Sequence, residues 1–149
     1  MAVEKRNIYV DMDGVLADFN AEPDGVNRFA VEKGFFKNLK PLSINVKALR
    51  TALADGKHNI YILSASPNAA ADGDKRKWLK KYIPEIKAQQ VILCRNGQKK
   101  LNFMKTADGT LFDDYGKNCR EWLENKKNSA YQIAADGSLL RGFKLFDII

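Results

Sequence analysis

The 149 residues are 45% hydrophobic and carry a formal net charge of +7, from 25 basic against 18 acidic side chains. That apolar content is enough for one domain with a packed core, and no run approaches the ~20 consecutive apolar residues of a transmembrane helix. The short charged start, Met1 to Asn7, lacks the apolar stretch of a signal peptide, and Cys94 and Cys119 stand alone without metal-ligand or CxxC spacing. Together these features predict a reduced, cytoplasmic protein.

Ile8-Tyr9-Val10 is short, apolar and β-branched or aromatic, which predicts a central strand of a parallel sheet. It runs into Asp11-Met12-Asp13-Gly14, so two carboxylates fall at the strand's carboxyl end. Like charges this close repel by roughly 4 kcal/mol at about 4 Å with an effective dielectric of about 20. A cation or a shared proton must relieve that repulsion, and Mg²⁺ is the expected one, since carboxylate oxygens are its preferred hard ligands. Five other Asp-Gly pairs, including Asp72-Gly73 and Asp136-Gly137, read as turns. Asp13-Gly14 stands apart because a second aspartate and an apolar strand precede it.

A less regular stretch, 20–42, comes next and ends near Pro41. Ile44, Val46, Leu49 and Leu53 then predict a helix, with Ser43 as its N-cap and Gly56 just past its end. Asn59 to Leu63 is a second strand with Ser64 at its end. A helix bearing Trp78, Leu79, Tyr82 and Ile83 stops at Pro84. Its Lys75-Arg76-Lys77 and Lys80-Lys81 read as a solvated basic face, as does Lys126-Lys127 further on. Val91-Ile92-Leu93 is a third strand, followed by a polar loop with Lys99-Lys100. Thr110-Leu111-Phe112 is a fourth strand, ending in Asp113-Asp114. A helix with Cys119, Trp122 and Leu123 inside precedes a fifth strand, Tyr131-Gln132-Ile133. Asp136-Gly137 is placed to turn the chain into a final strand pair.

Strands alternating with helices predict a layered α/β sheet. If the strands are parallel, Asp11 with Asp13, Ser64, Lys100, and Asp113 with Asp114 all open onto one crevice, beyond the carboxyl ends where open sheets bind ligands. Those four positions carry the resemblance. The chain resembles the haloacid dehalogenase superfamily of phosphotransferases, whose motifs read strand-DxDG, strand-Ser/Thr, Lys and strand-DD. More narrowly, it is similar to the 5'(3')-deoxyribonucleotidases. The matching segments are Asp11 to Phe19, Gly34 to Pro41, Ile62-Leu63-Ser64-Ala65-Ser66-Pro67, Lys75 to Pro84, and Leu111-Phe112-Asp113-Asp114.

The resemblance implies a haloacid-dehalogenase-like Rossmannoid three-layer fold over 1–149, with a central parallel sheet and a small cap at about 20–42. It implies Asp11 as the nucleophile that becomes an aspartyl phosphate, and Asp13 as general acid and then general base. Mg²⁺ would be held by Asp11, the backbone carbonyl of Asp13, and one or both of Asp113 and Asp114. Lys100 would neutralise the phosphoryl oxygens and orient Asp11. It is preferred to Lys99 because Lys100-Leu101-Asn102-Phe103 best fits a lysine followed by a helix with an aromatic. Ser64 and Ala65 would bind the phosphoryl group. Phe19 is either a core residue or the ring beside a nucleobase.

The expected activity is hydrolysis of a small phosphate ester, a (deoxy)nucleoside monophosphate, with another phosphomonoester as the alternative. A basic, non-catalytic nucleic-acid-binding protein is the alternative of another class. No membrane and no stable nucleic-acid partner are expected. Trp78 and Trp122 read as core, and His58 as a surface residue on the wrong side of the sheet for catalysis.

Overall fold

The computed structural model describes residues 5–138 and 149. Among these residues five strands form one parallel sheet in the order β3-β2-β1-β4-β5: β1 Asn7–Val10, β2 Asn59–Ser66, β3 Val91–Arg95, β4 Thr110–Asp113 and β5 Ser129–Gln132. β1 lies at the centre because its side chains are buried on both faces. Ile8 and Val10 join one apolar cluster, and Tyr9, which points the other way, joins a second with Leu63, Leu111 and Trp122. Trp78 and Trp122 are wholly buried, one in each cluster. The strand order reverses at β1, so the loops after β1 and β4 leave side by side.

Among the described residues, four helices connect or cover the sheet: α1 Gly25–Arg28, α2 Ser43–Asp55, α3 Ala69–Tyr82 and α4 Gly116–Trp122. The 20–42 stretch carries α1 and two 3₁₀ turns, Phe19–Ala21 and Phe36–Asn38. Its inner end is buried through Phe35, Phe36 and Leu39, whereas Val26 and Val31 stand exposed. The Trp78 indole donates to the Leu39 carbonyl at 2.8 Å and pins this end to α3.

Several sequence expectations change. Ser43 is the first residue of α2 rather than its cap, and no side chain caps that end. The α2 face is rotated: Ile44 is exposed and Asn45 is buried, because Asn45 donates to the carbonyls of Val15 and Gly137 at 2.8 and 2.9 Å. Asp72-Gly73 lies inside α3, whose start is instead capped by the Asn68 side chain. Leu123 is exposed just past α4. His58 is half-buried at the amino end of β2, accepting the Arg6 N–H. β5 begins two residues earlier than expected. The turn at Asp136-Gly137 is present, with Gly137 at φ +83° and its N–H donating to the Ala134 carbonyl. The partner of the expected final strand pair lies outside the described residues.

Candidate active site

The loop after β1 folds back tightly: the amides of Leu16 and Ala17 both donate to the Met12 carbonyl at 2.8 Å. Gly14 sits at φ +82°, a conformation that costs other residues steric energy. A Cβ there would also lie 2.1 Å from Oδ2 of Asp114. The first and fourth loops therefore touch with no space for a side chain, and Asp114 is brought against Asp11.

Asp11 is nearly buried at the end of β1. Lys100, on the 3₁₀ turn Lys100–Phe103, contacts Asp11 Oδ1 at 3.0 Å and Asp113 Oδ2 at 2.6 Å. Lys99 points away, its side chain 44% exposed, and pairs with Glu124. Asp113 is fully committed: its Oδ2 also accepts from Asn118 at 3.1 Å, and its Oδ1 from the Tyr115 amide at 2.9 Å. Carboxylate oxygens of Asp11, Asp113 and Asp114 lie within 4.8 Å of one another.

One buried ammonium does not balance this much negative charge. Burial, and next the Asp113 carboxylate, raise Asp11 well above the usual carboxylate range against the pull of Lys100. Burial and Asp113 push Asp114 up to about 6. Burial alone would lower Lys100, but its pairing with Asp11 and Asp113 outweighs that and raises it, so it stays charged. Three acidic oxygens under such strain, with hard oxygen donors only, fit a divalent cation such as Mg²⁺.

Asp13 faces a different partner. Its Oδ2 accepts from Lys75 Nζ at 2.8 Å, and its buried Oδ1 has no hydrogen-bond partner among the described residues. Lys75 is wholly buried and also donates to Ser64 Oγ at 2.8 Å and the Ala65 carbonyl at 2.6 Å. Its Nζ stands 4.4 Å from the centre of the Phe36 ring. The reading of Lys75 as part of a solvated basic face is thus corrected. The signal was there: Ala71, Lys75, Trp78 and Leu79 share the buried stripe of α3 at helical spacing. Asn118 was missed as well, because nothing in its local sequence points towards Asp113.

A cleft of about 620 Å³ opens above these groups. Asp11, Asp13, Ala65, Lys100, Asp113 and Asp114 line it, while Ser64 lies beneath, fully buried. Phe19, Val26, Phe29 and Phe36 supply apolar lining, and Asn96, Gln98, Lys117 and Glu121 supply polar lining. Phe19 both faces this cleft and packs edge-on against Phe29 and Phe35.

Residues 20–133 match the family model of the 5' nucleotidase, deoxy (pyrimidine), cytosolic type C proteins. The chain belongs to this family. Membership makes it a nucleotidase-type phosphatase of the haloacid dehalogenase superfamily, in keeping with its five-stranded parallel sheet. The match takes in Ser64, Lys75, Lys100, Asp113 and Asp114, and the geometry adds Asp11 and Asp13 from upstream. A putative 5'(3')-deoxyribonucleotidase of Vibrio phage KVP40 is 32% identical over 127 residues, covering 77% of this chain and 69% of the phage protein. Among solved structures, a chain of the Pnkp1/Rnl/Hen1 complex shares the fold with a TM-score of 0.61 at 16% identity. The alignment covers 87% of this nucleotidase-family chain but only 46% of that one. Among the described residues, no helix is long and apolar enough to cross a membrane.

Proposed function

We propose that this enzyme is a Mg²⁺-dependent deoxyribonucleotidase that hydrolyses (deoxy)nucleoside monophosphates through an aspartyl phosphate on Asp11. One observation carries the reading: Lys100 Nζ stands 3.0 Å from Oδ1 of Asp11 at the end of the central strand, with Asp114 alongside. A carboxylate oxygen of Asp11 is thereby held where it can attack phosphorus. The phage relative's description as a putative 5'(3')-deoxyribonucleotidase supports the substrate class.

Asp11 and Asp114, with the Asp13 backbone carbonyl, would hold the metal, since both oxygens of Asp113 are engaged by Lys100, Asn118 and the Tyr115 amide. When bound, Mg²⁺ supplies the positive charge that lets an anionic carboxylate meet an anionic phosphate. Lys100 neutralises phosphoryl oxygens and keeps Asp11 aimed. Ala65 lines the cleft where the phosphoryl group would sit, with Ser64 buried beneath it. Asp11 attacks phosphorus as the bond to the leaving oxygen breaks, and Asp13 gives its proton to that oxygen. A water then attacks the phosphoryl group and returns a proton to Asp13, which frees Asp11 and releases phosphate. Phe19 lies where a nucleobase can stack, a contact worth about 1–3 kcal/mol per base.

The test is a panel of nucleoside mono-, di- and triphosphates and simple phosphate esters with Mg²⁺, run with and without chelator. Monophosphates are expected to turn over, polyphosphates poorly, and chelator to stop both reversibly. Borohydride reduction during turnover should convert Asp11 to homoserine, detectable by mass spectrometry. Full activity in excess chelator would overturn the reading.

A further inference from the structure

Lys75 is the feature that the nucleophile, metal and phosphate roles leave unexplained. A lysine with no exposed side-chain surface is rare, because burying an ammonium is costly without strong partners. Here all three of its N–H bonds have acceptors: Asp13 Oδ2 at 2.8 Å, Ser64 Oγ at 2.8 Å and the Ala65 carbonyl at 2.6 Å. Lysine only donates, so each bond fixes the polarity of its partner. Ser64 must accept from Lys75, which leaves its own hydrogen to donate elsewhere. Asp13 has Oδ2 held by Lys75, and its Oδ1 is buried without a protein partner among the described residues, so the Lys75 bond is what fixes the carboxyl group.

We propose that Lys75 is a positioning residue that ties down Asp13 Oδ2, so that the carboxyl group is held in one orientation at the cleft wall as it gives its proton to the leaving oxygen, and that turns the Ser64 hydroxyl into a donor. The inference rests on the phosphatase mechanism above and names the residue that aims its acid. In the first half-reaction, the O–H bond of the Asp13 carboxyl group breaks as the phosphorus–oxygen bond to the leaving group breaks. The alcohol leaves neutral and Asp13 becomes a carboxylate held by Lys75. In the second, the attacking water loses its proton to the same carboxylate. The Phe36 ring, 4.4 Å from Nζ, closes off the remaining approach to the ammonium.

The test compares Lys75→Met with the wild type on two substrates, a deoxynucleoside monophosphate and p-nitrophenyl phosphate, read as kcat/KM. The nucleoside alkoxide is a poor leaving group that needs a proton, whereas p-nitrophenolate departs without one. A misaimed acid is expected to cost the nucleotide about a hundredfold or more, the scale of general acid catalysis, and the aryl ester much less. In an Asp13→Asn background, the Lys75→Met change is expected to leave this substrate ratio unmoved. Equal losses on both substrates in the single variant would show a purely structural lysine and overturn the proposal. If Lys75→Met does not fold, Lys75→Gln, which keeps a donor, carries the same comparison with the same two outcomes. Wild-type protein inactive on both esters with Mg²⁺ would instead refute the phosphatase mechanism, so the two failures are separable.

Discussion

Asp11 and Lys100 hold opposite charges in the same buried spot, and their removal should have opposite effects on stability. Asp11→Asn is expected to abolish turnover while leaving the metal-free melting temperature unchanged or higher. The amide is nearly isosteric, is a poor nucleophile, and relieves repulsion from Asp113 and Asp114. A kinetic assay and a thermal melt on the same preparation check both halves. Lys100→Ala breaks two buried ion pairs and should destabilise by about 3–5 kcal/mol, because Asp11 and Asp113 are left uncompensated. Lys99→Ala, one residue away, removes an exposed, solvent-screened pair with Glu124 and should leave stability almost unchanged. Denaturant unfolding of the two alanine variants distinguishes them, and a reversed order would move the site lysine to Lys99.

The contact between the loops after β1 and β4 is set by elements rather than by any one side chain. Gly14→Ala should strain the backbone by about 1–2 kcal/mol and push Asp114 away from Asp11. Its signature is a reduced Mg²⁺-induced rise in melting temperature, although no metal ligand has changed. At this scale the sequence was most legible where periodicity is strong. The apolar runs Ile8 to Val10, Asn59 to Leu63 and Val91 to Leu93 predict three strands, because buried parallel strands are nearly continuous apolar segments. The carboxyl-end position of Asp11 follows from the first run and that of Asp113 from Thr110-Leu111-Phe112, whereas Ser64, expected at a strand end, lies two residues inside β2, which continues to Ser66. Lys75 and Asn45 were hard to read for one shared reason. A buried polar residue is stabilised by partners distant in sequence, and hydrophobic patterning assigns it to the surface. Lys75 and Asp13 are 62 positions apart, and Asn45 and Gly137 are 92.

Across the whole molecule, the uncompensated acids make stability depend on pH and metal together. Asp114 holds its proton up to about 6 in the folded state, well above its ordinary 3.8. Between those values the folded chain binds more protons than the unfolded chain, so metal-free stability falls as pH rises. The melting temperature of the metal-free protein is therefore expected to drop from pH 4 to 7. Saturating Mg²⁺ should restore more of it at pH 7 than at pH 5, since a ligand bound only by the native state stabilises it. A flat metal-free profile would contradict the crowding of Asp11, Asp113 and Asp114. The strand order that places these acids together also has a consequence during synthesis. β1 is made first, yet both of its sheet neighbours, β2 and β4, come later, and β4 brings the last acid. The ribosome must release the chain well past Asp114 before the central strand is flanked on both sides. Nascent chains halted before that point should show no metal-dependent resistance to protease, and longer ones should acquire it abruptly.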